Sequence, residues 1–183
     1  MRFGWIGVGL LCAVVGRADS QQAPIETQIA IGGANISGSG YDHSAELTGR
    51  LGVERLWASG WGARVDASEF ARVNSSECLR LSFQCETPVP GTITTLMLHA
   101  TRRFTILGRA NYPLKLGLGA GVAHVGSSLV ASSATSGVAG LTSELPIFGH
   151  GRFGVVVGAE ALLITSADGH SLQAVPITLG LHF

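Results

Sequence analysis

The last nine residues, Val175-Pro-Ile-Thr-Leu-Gly-Leu-His-Phe183, constrain the fold more than any other part of the chain. Every second residue is apolar: Val175, Ile177, Leu179, Leu181 and Phe183. Between them stand Pro176, Thr178, Gly180 and His182, small or polar throughout. A period of two belongs to an extended strand, whose side chains point alternately to opposite faces. One face of this segment is suited to hydrocarbon and the other to water.

The same alternation recurs upstream. Leu47, Gly49, Leu51 and Val53 oppose Glu46, Arg50 and Glu54, and Ala63, Val65 and Ala67 oppose Arg64, Asp66 and Ser68. Leu114, Leu116, Leu118, Ala120 and Val122 oppose Lys115, Gly117, Gly119 and Gly121. Phe153, Val155, Val157 and Ala159 oppose Arg152, Gly154, Gly158 and Glu160. Glu144 takes the polar side of its strand, and Leu96, Leu98 and Ala100 stand against His99 and Arg103. Arg55 breaks the pattern close to an aromatic-rich turn, where a long side chain can reach water.

Eight strands are expected, near residues 25–35, 45–58, 61–73, 91–104, 112–125, 138–148, 151–165 and 171–183. Each has the length a tilted strand needs to cross a bilayer. The connections alternate, on the whole, between long and short: 36–44 is long, 59–60 tight and 74–90 long. Then 105–111 is moderate, 126–137 long, 149–150 tight and 166–170 moderate.

Composition supports a closed sheet facing lipid. Charged residues make up 13% of the chain, about half the globular average of ~25%. Glycines number 26 in 183 residues, about twice the usual share. Strands that alternate never build the long apolar run of a spanning helix, and beyond residue 20 no such run occurs. Twelve basic and twelve acidic residues balance, and no basic stripe with interleaved aromatics is present, so nucleic acid is not an expected partner.

Residues 1–20 read as a signal peptide: Arg2 supplies a basic start, residues 3–16 an apolar core, and Gly16/Ala18 or Ala18/Ser20 a cleavage pair. Cys12 is a poor lipidation site, because Leu11 precedes it and Ala-Val-Val follows. Residues 21–183 form one domain. Cys78 and Cys85 lie in a polar stretch of an exported chain, where a disulfide closing a small loop is expected and free thiols are the alternative. No ligand spacing for a metal accompanies them.

Taken together, the leader, the strand and loop alternation and the closing segment resemble the small bacterial outer-membrane β-barrel superfamily, the eight-stranded barrels of the outer-membrane protein A/X type. The resemblance implies an all-β, eight-stranded antiparallel up-and-down transmembrane barrel in the outer membrane of a Gram-negative bacterium, with both termini in the periplasm. Leu179, Leu181 and Phe183 would then belong to the signal read by the barrel assembly machinery. Partners would be that machinery, periplasmic chaperones, and outer-membrane lipid and lipopolysaccharide. Short turns would lie on the periplasmic side and longer loops outside. Trp57, Trp61, Phe104, Tyr112, Phe148, Phe153 and Phe183 then fall at the periplasmic rim as an aromatic girdle. Phe70 and Tyr41 would belong to a thinner external rim.

In such a barrel the polar side of each strand faces a narrow interior that side chains fill. Glu46, Arg50, Glu54, Arg64, Asp66, Lys115, Glu144, Arg152 and Glu160 are expected to form a paired charge network there, since buried charges need partners. A single Arg or Lys turned to lipid at mid-membrane would cost on the order of 2–4 kcal/mol, which holds the register. Gly117-Leu-Gly-Ala-Gly121 is not a phosphate loop, because no helix follows; its glycines leave room inside. No cofactor is expected.

Catalysis has one candidate constellation, His124 with Ser127, Ser128 and Glu144. Some outer-membrane lipid A deacylases are eight-stranded barrels with a His/Ser/Glu site. This chain lacks their His-x-Ser-Asn string, and strand parity sends His124 and Glu144 to opposite faces. Among the other histidines, His43, His150 and His170 fall in or beside loops, and His99 and His182 point inward. The expected function is a non-enzymatic integral barrel serving envelope structure or surface interaction through its external loops. The alternatives are a narrow channel or carrier for small apolar molecules, a lipid A-modifying enzyme, and a soluble lipocalin-like barrel with its apolar face inward.

Overall fold

The computed structural model describes residues 25–38, 41–72, 92–106, 109–126, 134–150, 153–165 and 171–183. Residues 1–20, expected to be a signal peptide, and Cys78, Cys85, Ser127, Ser128 and Arg152 lie outside this set. Eight strands run in chain order: β1 (Ile25–Gly38), β2 (Tyr41–Leu56), β3 (Trp61–Arg72), β4 (Thr92–Ile106), β5 (Arg109–Val125), β6 (Ala134–His150), β7 (Phe153–Thr165) and β8 (Ser171–His182). Each pairs antiparallel with its sequence neighbours, and β8 closes onto β1. Ile29 faces Leu181 and Ile31 faces Leu179 across that seam. Beyond His182, the amides of Thr27 and Phe183 donate to each other's carbonyls at 2.8 and 2.9 Å. Closure removes every open strand edge, the condition for placing a sheet in hydrocarbon.

Several strands are longer than alternation alone predicts. The long connection expected at 36–44 is largely strand: β1 reaches Gly38 and β2 starts at Tyr41. The moderate connection at 105–111 shrinks likewise, with β4 ending at Ile106 and β5 starting at Arg109. Asn, Ser and Gly at these ends look loop-like, but backbone pairing keeps them extended: the end of β1 pairs with both β2 and β8, and Ile106 pairs with Arg109 across the β4–β5 hairpin. The β2–β3 turn is wider than the two residues expected. It begins at Trp57, whose amide donates to Trp61 O at 2.8 Å, while Gly60 N donates to Trp57 O at 2.9 Å. Gly60 takes a φ of 80°, a left-handed conformation that glycine adopts without steric cost.

The side-chain distribution is inside-out. Ile31, Leu118 and Leu141 are 67%, 64% and 61% exposed on the outer surface. Leu116, Val157 and Leu179 face the same way, whereas Arg50 and Glu160 are buried in the lumen. In water, an unbroken belt of this kind would forgo about 1.5–3 kcal/mol for each large side chain left unburied. In a bilayer the belt is the stable surface, and the charges are best kept inside.

The lumen has two storeys. At the end distant from the termini, Ile36, Phe70, Ile93, Val125, Val138, Ile164, Leu172 and Ala174 pack into an apolar cluster that continues down to Met97 and Leu162. Below it lie the ionisable side chains. Phe70 is therefore not a rim residue: on the inward parity of β3 it is fully buried in this plug.

Candidate functional site

The charged storey is the candidate site, and strand parity positions it. On β2, Glu46, Thr48, Arg50, Gly52 and Glu54 all point inward, and on β3 so do Arg64, Asp66 and Ser68. The facing wall supplies Thr142 and Glu144 from β6 and Glu160 from β7. Glu144 is the hub. Its Oε1 accepts from Arg50 Nη2 at 2.5 Å and from Arg64 Nη1 at 2.6 Å. Arg64 also donates from Nε to Asp66 Oδ2 at 2.7 Å and from Nη2 to Thr142 Oγ1 at 3.3 Å.

A second group lies nearer the termini. Lys115 Nζ donates to Glu54, which also accepts from the Thr101 hydroxyl. The same ammonium lies 3.6 Å from Glu144 Oε2 and 3.7 Å from Glu26 Oε2, joining the two groups. Arg103 Nη2 lies 2.6 Å from both Glu26 oxygens. Glu26 was not among the expected lumen acids, although its parity with inward Gln28 and Ala30 marks it as one.

His99 is fully buried between the two walls, with Nε2 3.2 Å from Asp66 Oδ2 and 3.7 Å from Glu160 Oε1. Glu160 is also 3.9 Å from Arg50 Nη1. The register pairs His99 with Gly119, and a Cβ at that glycine would lie 2.4 Å from His99 Nδ1. Gly52 faces Asp66 in the same way, at 2.3 Å from Oδ1. Gly52 and Gly119 thus leave the space that Asp66 and His99 occupy.

Of the nine expected network residues, the structure joins Arg50, Glu54, Arg64, Asp66, Lys115, Glu144 and Glu160 into one web. Glu46 is buried higher in the lumen beside the plug, and Arg152 lies outside the described residues. A cavity of about 10 Å³ sits among Glu26, Glu54, Arg64, Lys115, Glu144 and His182, room for about one water.

His124 and Glu144 occupy opposite faces. His124 lies on the exposed surface, its Nδ1 3.5 Å from Thr135 Oγ1, whereas Glu144 is held in the lumen by two guanidinium groups. No shared substrate position touches both. Trp57, Trp61, Phe104, Phe148, Phe153 and Phe183 are exposed around the terminus end, with Phe153 and Phe183 at 6.4 Å between ring centroids. The side chain of Tyr112 lies outside the described set.

These features define a class: a small transmembrane β-barrel with a lipid-facing belt and a lumen filled by side chains. No protein-family model matches the chain, and no curated protein matches it. Among solved structures it is similar to Neisserial surface protein A, with a TM-score of 0.67, 12% identity, and coverage of 86% of this chain and 95% of that one. It is also similar to Ail, the attachment invasion locus protein of Yersinia pestis, with a TM-score of 0.50, 16% identity, and coverage of 89% of this chain and 100% of that one. Against the structure of Ail in a phospholipid bilayer nanodisc the TM-score is 0.52, at 19% identity, covering 87% of this chain and 100% of that one. The chain has the fold of the small eight-stranded outer-membrane barrels.

Proposed function

We propose that this chain is a non-enzymatic integral protein of the outer membrane of a Gram-negative bacterium, a closed barrel that anchors external loops serving envelope structure or surface interaction. The observation that carries this reading is the double closure of the lumen. An apolar plug around Phe70, Ile93 and Ile164 stands above a cross-linked web centred on Glu144. An ion crossing this lumen would have to leave water and displace both layers, and a rigid, occupied interior suits an anchor. Similarity to Neisserial surface protein A and to Ail, an attachment invasion locus protein, supports a role at the cell surface.

The barrel's belt is in contact with outer-membrane lipid and lipopolysaccharide, and the assembly machinery and periplasmic chaperones are its partners during biogenesis. Leu179, Leu181 and Phe183 all face outward on the closing strand, accessible to a factor that reads it before insertion. Planar-bilayer recording of the purified chain tests the reading. A closed anchor gives no unitary conductance, whereas steady unitary steps would establish a channel. Unchanged lipid A in cells overproducing the chain is the matching expectation against an enzyme.

A further inference from the structure

One cluster on the outer surface is not used by the plugged-anchor reading. Arg102 faces outward on β4, and its guanidinium carbon lies 4.8 Å from the Trp61 ring centroid and 5.6 Å from that of Phe104. Trp61 is its register partner on β3. On the far side of β3, Arg55 of β2 also faces outward and pairs with Ala63, which pairs in turn with Ala100. Arg55 and Arg102 thus stand two strands apart, about 10 Å across and one side-chain repeat, about 7 Å, along the strands. Trp61 lies between them. Arginine side chains are long enough to close that gap onto a single headgroup.

Among the described residues no carboxylate pairs with the charge at this position. Glu26 and Glu54, the acids at this end, turn into the lumen and are paired there. Among the described residues the outward-facing carboxylate is Glu69, towards the opposite end of β3. Neither Arg55 nor Arg102 makes an ion pair among the described residues. Two π faces hold the Arg102 guanidinium at the depth of the aromatic rim, where lipid headgroups lie. Guanidinium forks match phosphate oxygens bidentately, and an uncompensated pair of them favours a headgroup with net negative charge over a zwitterion.

We propose that Arg55 and Arg102, bracketing Trp61 on the outer face of β2–β4, bind the phosphate of an anionic glycerophospholipid in the periplasmic leaflet. The proposal rests on the membrane reading above. Its test uses the full chain in nanodiscs of phosphatidylcholine with a minor fraction of phosphatidylglycerol, followed by native mass spectrometry of the lipids retained. Retained phosphatidylglycerol is expected to exceed its bulk share, and the excess to fall about fivefold for each arginine replaced by Ala. Arg102→Lys keeps the charge but loses the fork and should fall part-way. Glu69→Gln should change nothing. An unaltered lipid ratio in the Arg55→Ala/Arg102→Ala chain overturns the site while leaving the membrane reading intact. A chain that never enters the disc overturns both.

Discussion

Arg64 on β3 and Glu144 on β6 meet across the lumen, with Nη1 2.6 Å from Oε1, although 80 positions separate them in the chain. These strands are not neighbours in the sheet, so the contact ties two walls of the barrel together. Arg50 binds the same oxygen. Glu144→Gln therefore leaves two buried guanidinium groups facing a neutral amide. Breaking one partner of a buried charge set typically costs about 3–5 kcal/mol. Urea unfolding from lipid vesicles should show a loss of that order, and a loss within error of zero would mean that the web does not hold the walls.

Gly119 gives a second test. His99 is fully buried, and a methyl group at the facing position would sit 2.4 Å from the imidazole. Gly119→Ala should destabilise the barrel by about 1–3 kcal/mol through overpacking. Adding His99→Ala should recover part of that loss, and a double-mutant cycle measures the coupling. Additive effects would show that the two residues do not share the space.

The lipid-facing belt predicts a depth profile. Leu118→Arg places a guanidinium outward at the middle of β5 and should cost about 2–4 kcal/mol, against about 0–1 for Ile25→Arg at the end of β1. Equal penalties at the two positions, measured by unfolding from vesicles, would contradict the assigned membrane depth.

Cys78 and Cys85 belong to the segment between β3 and β4, which faces the oxidising exterior in the proposed orientation. Alkylation of the folded chain should label neither thiol until a reductant is added. Immediate labelling of both would establish free thiols.

Much of this architecture is legible in the sequence because a period-two pattern reports directly on which face is which. The opposition of Leu116 and Leu118 to Lys115, or of Val53 to Glu54, suffices to set the register. The plug was harder to see. Ile36, Phe70, Ile93, Val125 and Ile164 lie on the same parity as the charges, and Asn35, Glu69, Thr94 and His124 face outward beside them, so near the outer ends of the strands the polar and apolar faces no longer mark inside and outside. β6 also starts at Ala134, earlier than the expected 138: Ala134 to Gly137 has the composition of a turn, and pairing with β5, joined by β7 at Gly137, keeps it extended. Cross-lumen contacts such as Arg64–Glu144 depend on barrel closure and strand stagger, which no local pattern encodes. Glu26 is the opposite case. Its inward parity was readable from Gln28 and Ala30, but it stands at the strand start, where the pattern is short.

The inside-out arrangement itself is tested most directly by a nitroxide scan along residues 175–181 of β8, in a cysteine-free background reconstituted in bilayers. Power saturation with oxygen and with a water-soluble nickel complex then reports the surroundings of each label. Labels at 175, 177, 179 and 181 should be accessible to oxygen and shielded from nickel, while those at 176, 178 and 180 respond weakly to both. A scan without a two-residue period, or one in which the odd positions collide with nickel rather than oxygen, would contradict the account.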